Sequence, residues 1–566
     1  MHISLPFGRI AAATFCLFLS SCALGSGFPS SGAASKFNPA LGTFLAARYA
    51  ESISDPASAV RFYLMALKAD PQNPVLLQDG FMAGLMAGDP AAAQLASRLP
   101  NDALAALLLG NDAAMVGDYP AATAFFKTLP DDELTALIQP LLLAWMQYGS
   151  GHEQAAWQGL RNSFGNGAFG PVYELNAALI ADAAGDTKQA AGLYATVRGI
   201  PPNLRVAQIL ASWYARQGDV GRAGSILAAL VAVHPDLAIA LPQLRARMDQ
   251  PVVATPEQGL AEAYLTTAAS LSQPQALFLR TVFLRFALAL RPDLSPARLI
   301  LANSLLNSAD PNYKPTTIQI QSALAVLAPV RPGDPLYSAV VVQRASLDAQ
   351  LGKPDTAVAL LDQLLASHPD DPGLLAIAGD IRRNANQCGL ALPYYNKAIA
   401  QLGAVPPANA WPLFFDRGIC KDEQGNWPGA ESDIKQALTL SPNQPYVLNY
   451  LAYNWAQQGR NLDLAERMLL RAVSLDPNDG ALLDSLGFIE LKRGNTQQAL
   501  ALLIQAVQFL PDNPEVNAHL GDAFSQAGQS VQAIYQWDRA LSLNPDANLK
   551  AVLTAQIAQT IRAITP

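Results

Sequence analysis

Apolar and small residues recur along this chain at helical spacing, and the spacing itself repeats. In the stretch that begins at Gly480, Leu483, Leu486, Gly487 and Glu490 fall on one stripe of a first helix, and Ala499, Leu503 and Ala506 on one stripe of a second. Pro511 stops the second helix, since its ring removes a backbone N–H and clashes with the preceding turn. The pattern returns 34 residues later, with Asn517, Leu520, Gly521, Phe524, Ala533, Trp537, Ala540 and Pro545 in the same slots. Gly or Ala at the eighth place and Ala at the twentieth let the paired helices approach closely. The register continues upstream at Gly418/Ala430/Ala437/Pro442, Gly379/Ala391/Tyr395/Ala398, Ala345/Ala357/Pro369, Ala211/Ala223/Pro235 and Ala47/Ala59/Tyr63/Ala66/Pro71. No stretch alternates as a strand would.

A period of 34 residues with these occupants resembles the tetratricopeptide repeat. The expected fold is therefore all-α, a right-handed α-solenoid of stacked helix-turn-helix repeats, with roughly a dozen or more pairs between residues 37 and 548. The expected organisation is a signal at 1–21, a tether at 22–36, an N-terminal array at 37–239, an irregular stretch or hinge at 240–335, a regular array at 336–548 and a capping helix or tail at 549–566. Within 240–335 the strings DQPVVATP and NSADPNYKPTT break the register.

The first residues follow another pattern. Met1 and Arg9 supply positive charge, Ile10 to Leu19 an apolar run too short to span a bilayer, and small residues follow. Leu19-Ser20-Ser21-Cys22 resembles the lipobox of bacterial lipoprotein signals, which implies cleavage before Cys22 and a diacylglyceryl group on its thiol; an ordinary secretory signal is the alternative. The Gly, Ser and Ala-rich residues 23–36 suit a flexible tether. Ala23, rather than Asp, implies sorting to the outer membrane, with the protein facing the periplasm.

Charge adds exclusions. The formal net charge is −8, and no Lys/Arg cluster stands out in the sequence, so nucleic acid is not an expected partner. GNGAFG at 165–170 matches G-x-G-x-x-G but follows a helical pattern instead of a strand, so it reads as an inter-helix loop. The five histidines are scattered; only His519 lies beside the expected groove, and no metal or cofactor motif is present. Catalysis is not expected, an unrecognised site in 240–335 being the outlying alternative.

Stacked pairs form a long concave surface. With places 4, 7, 8 and 11 used for packing, the opposite stripe of each first helix should line it. In the last five repeats that stripe offers Asp380, Arg383 and Asn384; Phe415; Tyr446, Asn449 and Tyr453; Asp484, Phe488 and Lys492; and Asp522. Aromatics mixed with amides and carboxylates suit an extended polypeptide.

VLNYLAYNWAQQGRNLDLAERMLLRAV (447–473), LLDSLGFIELKRGN (482–495) and NAHLGDAFSQAG (517–528) resemble successive signature strings of long tetratricopeptide lipoproteins of proteobacteria. Phe488 stands where that family usually has Trp, and Ala518 where it usually has Asp. The resemblance implies an outer-membrane adaptor that binds a carboxyl-terminal processing protease and brings it cell-wall hydrolases. An assembly factor for envelope polysaccharide export or outer-membrane biogenesis is the alternative on the same fold and anchor.

Of the four cysteines, Cys16 falls in the signal and Cys22 in the lipobox. Cys388 and Cys420 stand in slots for small buried side chains of neighbouring repeats, where two inert core thiols are the simpler expectation and a disulfide the alternative. The anchor is directly testable. Cys22→Ala should release the protein from membranes or leave an uncleaved precursor, read by membrane fractionation and electrophoretic mobility.

Overall fold

The computed structural model describes residues 39–564, apart from 131–132, 166, 198–202, 272, 274–275 and 308–312. The lipobox, Cys22 and the tether at 22–36 lie outside the described residues. Among those described the chain is helical with no strand, its α-helices running from α1 (Pro39–Ser52) to α30 (Ala547–Ile564). All but α13 (Leu241–Ala246) and α30 fall into consecutive hairpin pairs. Among the described residues no helix is long and apolar enough to cross a membrane.

Local chemistry sets the helix ends. Before α20 (Pro372–Asn384), the Asp371 carboxylate accepts the Leu374 N–H at 2.9 Å, and Pro372 fills the first turn, where a missing N–H costs nothing. Asp479 caps α26 (Gly480–Lys492) and Asn513 caps α28 (Pro514–Gln526) in the same way. Behind α26 and α28, Gly494 and Gly528 take φ of +83° and +76°, a left-handed turn that sends the chain back as the second helix.

Small residues set the spacing within pairs. A Cβ on Gly379 of α20 would lie 2.6 Å from the Tyr395 ring of α21 (Cys388–Ala400). One on Gly521 of α28 would lie 2.4 Å from the Trp537 ring of α29 (Ser530–Ser542). Both aromatic rings are fully or almost fully buried.

The stretch 240–335, expected to be irregular or a hinge, carries two ordered pairs. Its helix α14 (Pro256–Ser270) is buried on every side from Gly259 to Ala268. It packs against α5 (Ala103–Met115), α7 (Glu133–Gly149) and α9 (Gly170–Ala183), while its partner α15 (Leu277–Leu290) reaches α5 and α3 (Pro74–Ala87). These are all first helices of their pairs, which wall the inner face of a solenoid. The N-terminal array is thus filled by its own chain.

Gly259 lets α14 sit on Trp145, whose ring would be 2.1 Å from an added Cβ. Polar side chains fix the contact: the Tyr264 hydroxyl donates to Asn111 Oδ1 at 3.1 Å, the Trp145 Nε1–H to Asn176 Oδ1 at 3.0 Å, and Arg285 Nε to the Met86 carbonyl at 3.1 Å. At its centre the fully buried Glu262 carboxylate accepts Arg205 Nε at 2.8 Å and Nη2, with Arg291 Nη1 at 3.4 Å. Arg205 comes from α11 (Leu204–Arg216), a further first helix. Buried apolar residues of the N-terminal pairs and of α14 to α17 (Thr317–Leu327) accordingly join into one large cluster, with a smaller one around Ala211, Leu227 and Leu336, whereas from Val341 onward the core divides into several small clusters.

Two sequence expectations meet their outcome here. Within GNGAFG, Gly167–Phe169 form a single helical turn that leads into α9, with Gly170 packed on the Phe164 carbonyl. Cys388, opening α21, and Cys420, in α22 (Trp411–Glu423), are joined as a disulfide with Cα atoms 4.8 Å apart. The simpler expectation of two inert thiols is therefore corrected. Both residues are buried on facing helices, so small side chains at neighbouring repeat slots meet instead of merely filling space. The link spans 32 residues and stabilises the folded chain by roughly 4 kcal/mol on chain-entropy grounds.

Glu262 carries the clearest stability test of this arrangement. Glu262→Ala leaves Arg205 buried without its carboxylate and should lower stability by about 3 kcal/mol or more, measured by urea unfolding followed through tryptophan fluorescence.

Candidate protein-docking groove

With the N-terminal inner face occupied, the first helices of the C-terminal array carry the remaining candidate groove. Its residues sort by their neighbours. Asn384, Tyr446 and Lys492 are exposed, Tyr446 at 60%. Phe415, Asn449 and Tyr453 are half-buried, and the Phe415 ring meets Tyr450 edge-on at 5.7 Å. The Asn449 Oδ1 is buried without a partner.

Asp484 and Phe488 depart from expectation, being buried at 7% and 8% exposure. Helix α26 packs against its second helix α27 (Thr496–Phe509) and also against two other first helices, α24 (Pro445–Gln457) and α28. Places expected to face a partner therefore face the neighbouring repeats. Phe488 stacks between Tyr453 and His519, at centroid distances of 5.3 and 4.7 Å, with the Lys492 ammonium 5.0 Å above its ring. Asp484 accepts or shares a proton with His519 Nδ1 at 3.0 Å. Burial of His519 disfavours its charged form, yet Asp484, with Asp522 and Glu515, holds its pKa above the ordinary value.

Asp380 and Asp522 are tied to the second helices of their own pairs. The Tyr395 hydroxyl donates to Asp380 Oδ1 at 2.7 Å, and the Trp537 Nε1–H to Asp522 Oδ1 at 2.9 Å. In both cases the aromatic follows the carboxylate by 15 residues, a regular spacing that sequence reading passed over. Gln556, from the capping helix α30, adds a bond to Asp522 at 3.1 Å.

Arg383 reaches across repeats to Asp416, with an N–O distance of 3.0 Å. Asp416 is a groove residue that sequence reading missed, because its place in the repeat was assigned to neither stripe. Burial pushes its carboxyl up to about 6, with Asp380 adding to the shift and Arg383 opposing it. Burial also raises Asp380. Together these side chains make a wall of held carboxylates and stacked rings that can present hydrogen-bond acceptors and apolar faces to a polypeptide. No group of side chains suited to hold a metal ion occurs among the described residues.

The raised Asp416 pKa fixes the sign of a pH effect. The folded state binds this proton more tightly than the unfolded chain, whose carboxyl titrates near 4, so the contribution is complete below about 4 and is lost as pH rises through about 6. Asp416→Asn should therefore flatten the dependence of the melting temperature on pH between about 4 and 6.

Two stretches of the chain, 342–408 and 490–555, match family models described as tetratricopeptide repeat. A TPR repeat-containing protein of Pseudomonas aeruginosa is 29% identical over 201 residues, which are 35% of this chain and 33% of that protein. The BBSome complex member bbs-4 of Caenorhabditis elegans is 26% identical over 31% of this chain and 39% of its own length. The matches thus span about a third of these curated relatives. Among solved structures, a tetratricopeptide repeat protein from Parabacteroides merdae aligns with 43% of this chain and 93% of its own at 17% identity and a TM-score of 0.34. A chain of the APC/C hetero-tetramer Cut9–Hcn1 aligns with 81% of this chain and 89% of its own, again at 17% identity and a TM-score of 0.34. Paired helices with small residues at the contact, and repeat models matching in two separate stretches, show that this chain carries tetratricopeptide repeats.

Proposed function

We propose that this protein is a non-catalytic scaffold that captures protein partners on the first-helix face of its C-terminal array, held at the periplasmic side of the outer membrane by lipid on Cys22. The observation that carries the reading is the division of the inner surface. The N-terminal part is packed with α14 and α15, while the C-terminal part presents Asn384, Tyr446 and Lys492 to solvent beside half-buried Phe415 and Tyr453. Aromatic anchors rimmed by polar and charged groups are the composition of a protein-binding surface. The anchor rests on the lipobox residues Leu19 to Cys22.

On this reading the partners are a carboxyl-terminal processing protease and the cell-wall hydrolases brought to it, as the signature strings after residue 447 imply. Tyr453 and Phe488 are stacked on each other, so Phe488 contributes by holding Tyr453 in place. The test uses the exposed residues. Joint replacement of Asn384, Tyr446 and Lys492 by Ala should lower cross-linked partner recovered from envelope membranes by at least about tenfold, with circular dichroism unchanged. Unaltered recovery would place docking elsewhere.

A further inference from the structure

The search for other sites ends at the seam between the two arrays. A cleft of about 500 Å³ opens there, between α11, α13 and the turns that carry residues 250–252, 291–296 and 329–335. Its volume is that of a small-molecule site. Five arginines line it, Arg205, Arg247, Arg291, Arg298 and Arg331, in a chain whose net charge is −8.

The carboxylates nearby do not balance them. Asp293 and Asp334 lie in the lining, and Glu262 behind it takes Arg205 and Arg291, which leaves two positive charges in surplus. The surplus sits on identifiable groups. Arg298 is without an ion pair among the described residues; its guanidinium donates to carbonyls, from Nη1 to Val326 at 2.8 Å and from Nη2 to Pro292 at 2.7 Å. Burial holds its pKa below the ordinary value, with Asp293 and Asp334 acting the other way. Arg331 donates to the Ala328 carbonyl at 3.3 Å, and Arg247 lies beside Gly333. Six prolines, at 251, 292, 296, 329, 332 and 335, restrict the surrounding turns.

Guanidinium groups are planar forks that pair with carboxylate and phosphate oxygens through two parallel bonds. We propose that this cleft binds a small dianion, a phosphate monoester or a dicarboxylate, with Arg247, Arg298 and Arg331 as its charged donors. Leu244, Met248 and Val330 offer an apolar wall for the remainder of the ligand. The site is separate from the C-terminal groove and does not depend on what docks there.

Calorimetric titration of the whole chain with phenyl phosphate, and separately with succinate, at constant ionic strength, tests this. One saturable site per chain is expected for at least one probe, and which probe saturates tells the phosphate source from the carboxylate source. Arg247→Gln with Arg331→Gln should weaken that binding by about tenfold or more. Both side chains are exposed, so the variant keeps its fold even if Arg298→Gln does not. Arg460→Gln, in the C-terminal array, should leave binding unchanged. The proposal falls if neither probe gives saturable heat in the millimolar range, if the Arg247/Arg331 variant binds as well as the parent, or if Arg460→Gln weakens binding equally.

Discussion

The solenoid rests on one steric constraint, the insertion of a large side chain of each second helix against a residue of the first helix that lacks bulk. Gly379 receives Tyr395, Gly487 receives Leu503 and Gly521 receives Trp537, each so closely that an added Cβ would fall within 3 Å. That contact fixes the distance between the helices of a pair, and hence the angle at which the next pair can stack. The carboxylate bonds follow from it. A ring pressed against Gly379 or Gly521 carries its O–H or N–H to the acid one place further along the first helix, so Asp380 and Asp522 are held by the same insertion that sets the packing.

This explains what could be read from the chain. A contact between places 8 and 24 of one repeat leaves a mark of small and large residues 16 apart, and the mark recurs with the period. Pair boundaries were equally legible, because Asp371, Asp479 and Asn513 cap where the chain enters and Gly494 and Gly528 turn where it leaves. The stripe assignment failed at Asp484 and Phe488 for a physical reason. Helix α26 is enclosed by its own partner and by the first helices on either side, so it has hardly an outer face to read.

The filling of the N-terminal inner face leaves no mark in the repeat pattern. Its contacts join Met86 to Arg285, Asn111 to Tyr264 and Arg205 to Glu262, at separations of 199, 153 and 57 residues, and no period carries them. A signal did exist in α14. Gly259, Ala261, Ala263 and Ala268 place small residues all round the helix, with one acid, Glu262, in their midst, a composition that fits a helix surrounded by others and an arginine supplied from elsewhere. The disulfide was undecided for a related reason. Spacing places Cys388 and Cys420 in adjacent repeats, but only the packing of α21 against α22 brings their Cα atoms to 4.8 Å.

The long reach of Arg285 also orders events in time. Each C-terminal pair meets its partners within the next repeat or two, so that array can close progressively as the chain emerges. The N-terminal pairs cannot: the inner face around Trp145 and Asn176 stays open until α14, with Gly259 and Thr266, has been delivered. In vectorial synthesis or export the first half of the molecule therefore seals in one late step, when α14 and α15 are delivered, whereas the C-terminal half closes pair by pair behind it.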